Sequence, residues 1–317
     1  MIYRSLAELP RDFGPSAITI GNFDGVHLGH REILQRVAAV AAGNRWRPTA
    51  LTFDPHPTKL VAPERAPHLL TTVEERARLL QQCGIERVLI LPFTTEIASL
   101  TPEDFVREIL AGKLQARAVL VGHNFRFGNR TAGDARTLEE LGRKYAFETE
   151  IVRSIQWRNL SISSSEIRRL IEAGEVSRAC RLLGRPYALG GEVAKGQGIG
   201  RKQTVPTLNL ETKAEVLPKT GVYVTRTHDA KTGLQWPSIT NVGYRPTFNG
   251  HGLTIETYLL AALDGPSPEE ISVEFLRWVR EERKFENPEA LKTQILRDVG
   301  RTQAYFRRLK QMAASAR

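Results

Sequence analysis

Two domains of different class are predicted: an α/β unit built on a parallel sheet, then a unit of short antiparallel strands closed by a helix. Three observations carry this. Strands and helices alternate from the N-terminus to about residue 185, short strands then follow one another with turn-rich links, and 317 residues amount to about two domains at roughly 100–200 residues each.

The elements follow in order. SAITIGNF (16–23) reads as the first strand. GHREILQRVAAVAAGN (29–44) places Ile33, Leu34, Val37, Ala38 and Ala41 on one helical stripe and stops at Gly43-Asn44. RPTALTF (47–53) is a second strand, and a helix begins after Thr72, where Glu75 completes a capping box. RVLILPF (87–93) is a third strand. TPEDFVREIL opens a helix with Thr101 as N-cap and Pro102 in the first turn. RAVLVGHNF (117–125) and FETEIVRSI (147–155) are the fourth and fifth strands. Two short helices lead to RLLGRPYALGG, a boundary signal that divides the chain into 1–184 and 185–317. Strands then read at 187–195, 205–210, 221–228, 236–243, 253–260 and 271–279, with turns such as HDAKTG and FNGHG between them, as in a small barrel or sandwich. NPEALKTQILRDVGRTQAYFRRLKQ closes the chain as an amphipathic helix with a basic face.

Hydrophobic residues at 41% and charged residues at 25% give the balance of a soluble globular protein. A formal net charge of +10 favours a polyanion: nucleic acid, a phosphorylated metabolite or an acidic membrane. No helix-turn-helix, RNP or zinc pattern points to nucleic acid. Cys83 and Cys180 form no C-x-x-C, so neither a disulfide framework nor a zinc knuckle is predicted, and two free thiols fit a reducing cytoplasm. The N-terminus has no apolar signal region, and no apolar run approaches the ~20 residues of a membrane span.

GNFDGVHLGH (21–30) lies where the first strand meets the first helix, the edge at which open parallel sheets bind ligands. Gly21 and Gly25 are expected to turn the chain with unusual dihedrals, and Gly29 to let backbone approach a ligand. The helix start offers unpaired N–H groups and a positive dipole end to phosphate. His27 and His30, three apart, share one face and can donate to phosphate oxygens as charge builds up. With no third ligand nearby, they make a poor metal pair. The whole string resembles the H-x-G-H signature of the nucleotidyltransferases, which move a nucleotidyl group to an acceptor and release pyrophosphate.

Three further stretches fall after strands or at a helix start. TFDPHP (52–57) follows the second strand. VGHNFRFGNRTAGD (121–134) sets Phe125 and Phe127 beside Arg126 and Arg130, a pattern that suits a flat phosphorylated ligand and equally suits core Phe with surface Arg. SISSSEIRRL (161–170) pairs Ser163 with Glu166 in a capping-box spacing, and Ser164, Ser165 and Arg168 are placed to hold anionic oxygens. Together with the opening motif they resemble the bacterial bifunctional riboflavin kinase/FAD synthetase family over nearly the whole chain. The resemblance implies a Rossmann-like nucleotidyltransferase domain over 1–184 that transfers AMP from ATP to FMN, giving FAD and pyrophosphate. It implies that His27 and His30 are catalytic, that Gly21, Asn22, Phe23, Asp24 and Gly25 with Ser164, Ser165 and Arg168 bind ATP and its phosphates, and that Asn124 and Phe127 border FMN. Two features depart from the family: Ser161 stands where an arginine is common, and SSSE replaces SST-x.

In the second half, KGQGIGRKQTVPTLN (195–209) is glycine-rich but lacks the spacing of a Walker A loop. Thr207 and Asn209 offer the neutral oxygens that magnesium accepts, and Glu256 lies on the strand IETYLL. PTLN, GVYV, NVGYRPTF, IETY and EFLRWVREERKF resemble the riboflavin kinase domain of the same family. That resemblance implies a six-stranded antiparallel Greek-key barrel with a terminal helix over 185–317. It implies that Gly196, Gly200, Thr207 and Asn209 bind ATP and riboflavin, that Thr207 and Asn209 hold Mg2+ with the ATP, and that Glu256 is general base on the ribityl 5′-hydroxyl. Thr204-Val205 stand where Gly-Phe is usual, and Leu208 where Ala is usual. The expected enzyme is cytoplasmic and makes FMN and then FAD from riboflavin and ATP, both flavins being substrate or product rather than tightly bound cofactors. Neither nucleic acid nor membrane is an expected partner. The alternative is an adenylyltransferase whose barrel binds flavin without kinase activity.

Overall fold

The structure, a computed structural model, describes residues 1–153, 156–157, 160–194, 207–247, 250–263 and 265–315. By their contacts they form two compact units, Met1–Ser164 and Ser165–Arg317.

The first unit runs β1 (Ile2–Tyr3), β2 (Ser16–Ile20), α1 (Leu28–Asn44), β3 (Arg47–Asp54), α2 (Pro57–Val61), α3 (Val73–Gln82), β4 (Arg87–Pro92), α4 (Thr95–Ser99), α5 (Pro102–Asp104), β5 (Ala116–Gly122), β6 (Arg126–Phe127), β7 (Gly133–Asp134), α6 (Ala135–Lys144), β8 (Glu148–Val152), β9 (Gln156–Trp157) and β10 (Leu160–Ser161). Six strands form one sheet in the order β1-β4-β3-β2-β5-β8, every pair parallel. The strands read as continuous apolar runs because both faces are covered. Ile18, Leu51, Leu89 and Val119 pack on one side with Phe105, Val106, Ile109 and Leu110. Their neighbours Ala17, Ala50, Val88 and Ala118 pack on the other with Leu34, Val37 and Ala41 of α1 and Ala77 and Leu80 of α3. Thr101 caps its helix as expected, accepting from the Asp104 N–H at 3.1 Å. Beyond α5 the chain widens into π-helix over Phe105–Lys113, whose four- and five-residue spacings keep those four side chains on the sheet.

Strand order decides where a ligand belongs. The chain moves from β2 outward through β3 and β4, then returns to place β5 on the other side of β2. The crevice at such a reversal, beyond the C-terminal ends of β2 and β5, is the ligand edge of an open parallel sheet. The GNFDGVHLGH turn follows β2, and the GHNF segment follows β5.

The second unit holds α7, which spans Ser164–Glu172 and so begins at the division, then α8 (Val176–Leu183), β11 (Tyr187–Val193), β12 (Thr207–Glu211), β13 (Gly221–Asp229), β14 (Gln235–Thr247), β15 (Gly250–Leu259), β16 (Glu270–Arg280) and α9 (Pro288–Ser315). The six strands close a barrel in the order β11-β12-β15-β14-β13-β16, not a sandwich. The β13-β14-β15 meander with β12 returning beside β15 is a Greek key. The helices expected to belong with the first domain pack on this barrel. Ser177 Oγ donates to the Leu276 carbonyl at 2.7 Å, Cys180 Sγ to that of Phe275 at 3.3 Å, and the Lys219 N–H to that of Ile171 at 3.3 Å. The contact division therefore falls between Ser164 and Ser165, upstream of 184/185.

Part of the barrel interior is polar. Thr225, Thr227, Ser238, Thr240 and Thr257 are fully buried and bond one another through their hydroxyls at 2.7–3.2 Å. A network satisfied in this way fixes the strand register without a desolvation penalty left open. The terminal helix also shows a polar buried stripe, Gln294, Asp298 and Thr302. Asp298 accepts from Arg280 Nε and Gln294 Nε2, both at 2.8 Å, while Leu291, Leu296 and Met312 are exposed.

Candidate functional site

The turn after β2 is held in an uncommon shape. Phe23 (φ 48°), Gly25 (φ 79°) and Val26 (φ 38°) are left-handed. Only the glycine takes this region freely; for a buried Phe and a β-branched Val it is strained. Gly21, expected to turn the chain with unusual dihedrals, is not among the positive-φ residues. A Cβ there would meet the Phe23 ring at 3.2 Å, so it makes room for that ring instead. Asp24 locks the turn. Its buried carboxylate Oδ1 accepts from the Leu70 N–H at 2.8 Å and from the Thr71 N–H at 3.3 Å. Thr71 Oγ1 in turn accepts from the Gly25 N–H at 3.2 Å. Ser164 Oγ donates to the Asp24 carbonyl at 2.9 Å.

His27 is the N-cap of α1. Its Nδ1 accepts from the His30 N–H at 3.3 Å, so the neutral ring carries its proton on Nε2 as a donor. The two imidazoles stack with centroids 3.6 Å apart, and Phe23 meets the edge of His30 at 5.3 Å. Burial first, and then His27, push the His30 imidazole well below its ordinary value and keep it neutral at pH 7. Gly29 leaves room for the capping ring: a Cβ there would stand 3.2 Å from Cε1 of His27.

Two groups that the sequence reading did not assign complete this edge. The Asn22 side-chain amide lies 2.9 Å from His56 Nε2. The contacting atom is the Asn22 Nδ2, and His56 Nδ1 accepts from the Thr58 N–H at 3.3 Å. Arg76 reaches from α3 beneath the same turn, and its Nη1 donates to the Asn22 carbonyl at 2.9 Å. The signal for Arg76 was its place on the α3 stripe with Val73, Ala77 and Leu80, a cation where apolar residues recur. Beyond β5, Asn124 is exposed, and a Cβ on Gly122 would meet Ile33 of α1 at 3.8 Å and Asn124 Oδ1 at 3.3 Å, so the end of β5 lies beside α1. Phe127 lies in the core, stacked on Phe125 at 5.3 Å, the packing alternative of the two readings open for it. Ser165 and Arg168 begin the second unit, where Arg168 Nη1 donates to Ser165 Oγ at 3.4 Å. Glu166 is paired with Arg169 at 2.7 Å.

On the barrel, Thr207 and Asn209 alternate along β12 and so share a face. Asn209 lies opposite Glu256 of β15, and Glu256 opposite Asn241 of β14, a polar row across three strands. Glu256 is 7% exposed. Asn241, from the NVGYRPTF motif, was not assigned from the sequence, and its Nδ2 donates to Glu282 Oε1 at 3.3 Å. Gly196, Gly200 and the Thr204-Val205 departure lie outside the described residues. Among the described residues, no group of three His, Cys, Asp or Glu is placed to hold a metal ion.

A parallel sheet with a histidine-capped helix at its strand reversal, in one chain with a closed barrel carrying Thr-x-Asn opposite a buried glutamate, defines a two-domain nucleotide-dependent transferase. The family model described as FAD synthetase matches residues 9–166, and that described as riboflavin kinase matches 183–306. The chain is 34% identical over 304 residues to the bifunctional riboflavin kinase/FMN adenylyltransferase of Pseudomonas fluorescens, covering 96% of this chain and 97% of that one. It is 32% identical over 305 residues to the protein of the same description from Escherichia coli K12, covering 95% and 96%. A crystal structure described as a macrolide-efflux protein from Streptococcus pneumoniae is similar, with a TM-score of 0.84 and 26% identity, covering 96% of this chain and 98% of that one. The chain belongs to the bifunctional riboflavin kinase/FMN adenylyltransferase family. Among the described residues no helix is long and apolar enough to cross a membrane.

Proposed function

We propose that the chain makes FAD from riboflavin at two separate sites, with the residue roles that follow. It is an enzyme with two activities: it phosphorylates riboflavin with ATP to FMN, and it transfers AMP from ATP to FMN, giving FAD and pyrophosphate. The observation that carries the site assignment is His27 as the N-cap of α1 at the strand-reversal edge, its Nδ1 accepting from the His30 N–H and its ring stacked on that of His30. The residues for AMP transfer all come from 1–184 and those for phosphorylation from 185–317.

In AMP transfer, an FMN phosphate oxygen attacks the α-phosphorus of ATP and the bond to pyrophosphate breaks. The α1 N-terminus and His27 Nε2–H hold the phosphates. His30, neutral in the free enzyme, takes on positive character as phosphate charge arrives beside it. Gly21, Asn22, Phe23, Asp24 and Gly25 shape the pocket, with Asp24 acting through Leu70 and Thr71. Ser164, Ser165 and Arg168 receive ATP phosphates, and Asn124 borders FMN. Phe127 supports that border through the Phe125 ring stacked on it.

In phosphorylation, Glu256 accepts the proton of the ribityl 5′-hydroxyl as that oxygen attacks the γ-phosphorus of the second ATP. The Thr207 hydroxyl and the Asn209 amide are hard neutral oxygens on one face beside Glu256, a donor set that fits Mg2+ entering with ATP. When bound, the ion neutralises charge on the migrating phosphoryl group. Gly196 and Gly200 belong to the proposed nucleotide loop. Cys83 and Cys180 as free thiols support a cytoplasmic location. The direct test is incubation of the full chain with riboflavin, ATP and magnesium, with the flavins separated by chromatography. FMN should appear first and FAD after it; formation of neither refutes the reading.

A further inference from the structure

Arg76 is a large side chain that is 1% exposed, in the middle of α3. Burying a guanidinium is unfavourable unless its donors are met. Its partners are three neutral oxygens on one nitrogen: Nη1 donates to the Asn22 carbonyl at 2.9 Å, to Thr52 Oγ1 at 3.0 Å and to the Phe53 carbonyl at 3.2 Å. Its Nε is buried with no acceptor among the described residues. Burial lowers its pKa, and Asp24, then Asp54 and Glu74, act in the opposite direction.

The two carbonyls belong to different segments. Asn22 opens the turn that carries His27 and His30, while Phe53 is near the end of β3, which leads to His56. Asn22 is thus held by its backbone from Arg76 and by its side chain from His56. We infer that Arg76 is a positioning residue for AMP transfer, fixing the spacing between the turn after β2 and the TFDPHP turn so that His27 and His56 stand at one edge. The inference rests on the reading of the β2 turn as the AMP-transfer site. A neutral core residue would pack α3 equally well, but it would leave the Asn22 and Phe53 carbonyls without this common donor.

The test uses the full chain, with Arg76→Met, Arg76→Lys and His27→Ala measured together. Arg76→Met should lower kcat for FAD formation from FMN by about tenfold to a hundredfold, the scale of a misplacement near 1 Å. Riboflavin phosphorylation should stay unchanged. Imidazole NMR resonances of His27 and His56 should move, and that of His228, in the barrel, should not. Arg76→Lys, an ammonium with three donors, should return the rate to within about threefold of wild type with His27 and His56 back in place. If His27→Ala loses FAD synthesis and folded Arg76→Met keeps the wild-type rate, the Arg76 inference is wrong. If both variants keep FAD synthesis, the reading of the turn itself fails. Should Arg76→Met not fold, Arg76→Lys decides: wild-type resonances with a hundredfold loss of rate would show that Arg76 does not act by positioning.

Discussion

Asp24→Ala should separate a group that holds the turn from one that touches phosphate. The carboxylate is 3% exposed, and its Oδ1 takes the Leu70 N–H at 2.8 Å, the Thr71 N–H at 3.3 Å and Thr71 Oγ1 at 3.5 Å. Truncation removes the acceptor and leaves two backbone donors inside, on residues that are themselves 4% and 5% exposed. A buried donor left unsatisfied costs about 1–3 kcal/mol, so the two together cost about 2–6 kcal/mol. The hydroxyl of Thr71 can turn to another acceptor and adds little. For a unit of this size 1 kcal/mol lowers Tm by about 2–4 °C, and a loss of about 3 kcal/mol therefore lowers it by about 6–12 °C. Asp24→Asn keeps one acceptor oxygen and should lose only about 1 kcal/mol. Calorimetry gives the shift, and amide exchange at Leu70 and Thr71 locates it. FAD formation should fall in parallel, because Phe23 and Val26 lose the contact that keeps them left-handed, while riboflavin phosphorylation continues. An Asp24→Ala protein with wild-type Tm and unchanged protection at Leu70 and Thr71 would refute the reasoning.

Two further outcomes follow from the histidine pair. His30 is held below its ordinary value in the folded chain, so the unfolded chain binds the extra proton first; stability should fall as pH drops through about 6.5, by up to 1.36 kcal/mol per pH unit for this group. Thermal melts between pH 5 and pH 8 should show a shallower acid slope in His30→Gln than in wild type, and equal slopes would count against a buried neutral His30. Gly29→Ala places a methyl 3.2 Å from the His27 ring. A gain of up to about 1 kcal/mol in helix propensity should offset the strained cap and leave Tm nearly unchanged, while FAD formation drops by several-fold to about tenfold; a wild-type rate would mean that the His27 position does not matter.

The legible parts of this chain were those with a local signature. The α1 stripe showed Leu34, Val37 and Ala41, and all three are buried. The longer strands of both units were visible because each is either covered on both faces or wraps the barrel interior. The H-x-G-H string stood out by its spacing, while Thr207, Asn209 and Glu256 stood out through the resemblance of PTLN and IETY to riboflavin kinase motifs. What stayed hidden depends on the third dimension. A two-residue β1 pairs with β4 and carries no period of its own. Arg76 and His56 matter through carbonyls and amides that only the strand order brings within reach. Gly21 looks like a turn glycine in the sequence but makes room for the ring of Phe23, and Gly29 leaves room for that of His27, because a Cβ's neighbours are set by the fold and not by adjacent letters. The contact division between Ser164 and Ser165 depends on the third dimension in the same way: α7 and α8 bond to β16 and to the segment before β13.

Two chemistries are run by two separate sets of residues, and a paired assay separates them: Glu256→Gln on one side, the double variant His27→Ala, His30→Ala on the other. Each protein is given riboflavin or FMN with ATP and magnesium, and FMN and FAD are measured. Glu256→Gln keeps the side-chain shape without the base, and should slow riboflavin phosphorylation by roughly 10²–10⁴-fold while FMN is still converted to FAD. The double histidine variant should accumulate FMN from riboflavin and convert it to FAD at least about 10²–10³-fold more slowly. A histidine variant that makes FAD from FMN at the wild-type rate, or a Glu256→Gln protein that loses both activities while folded, would contradict the account.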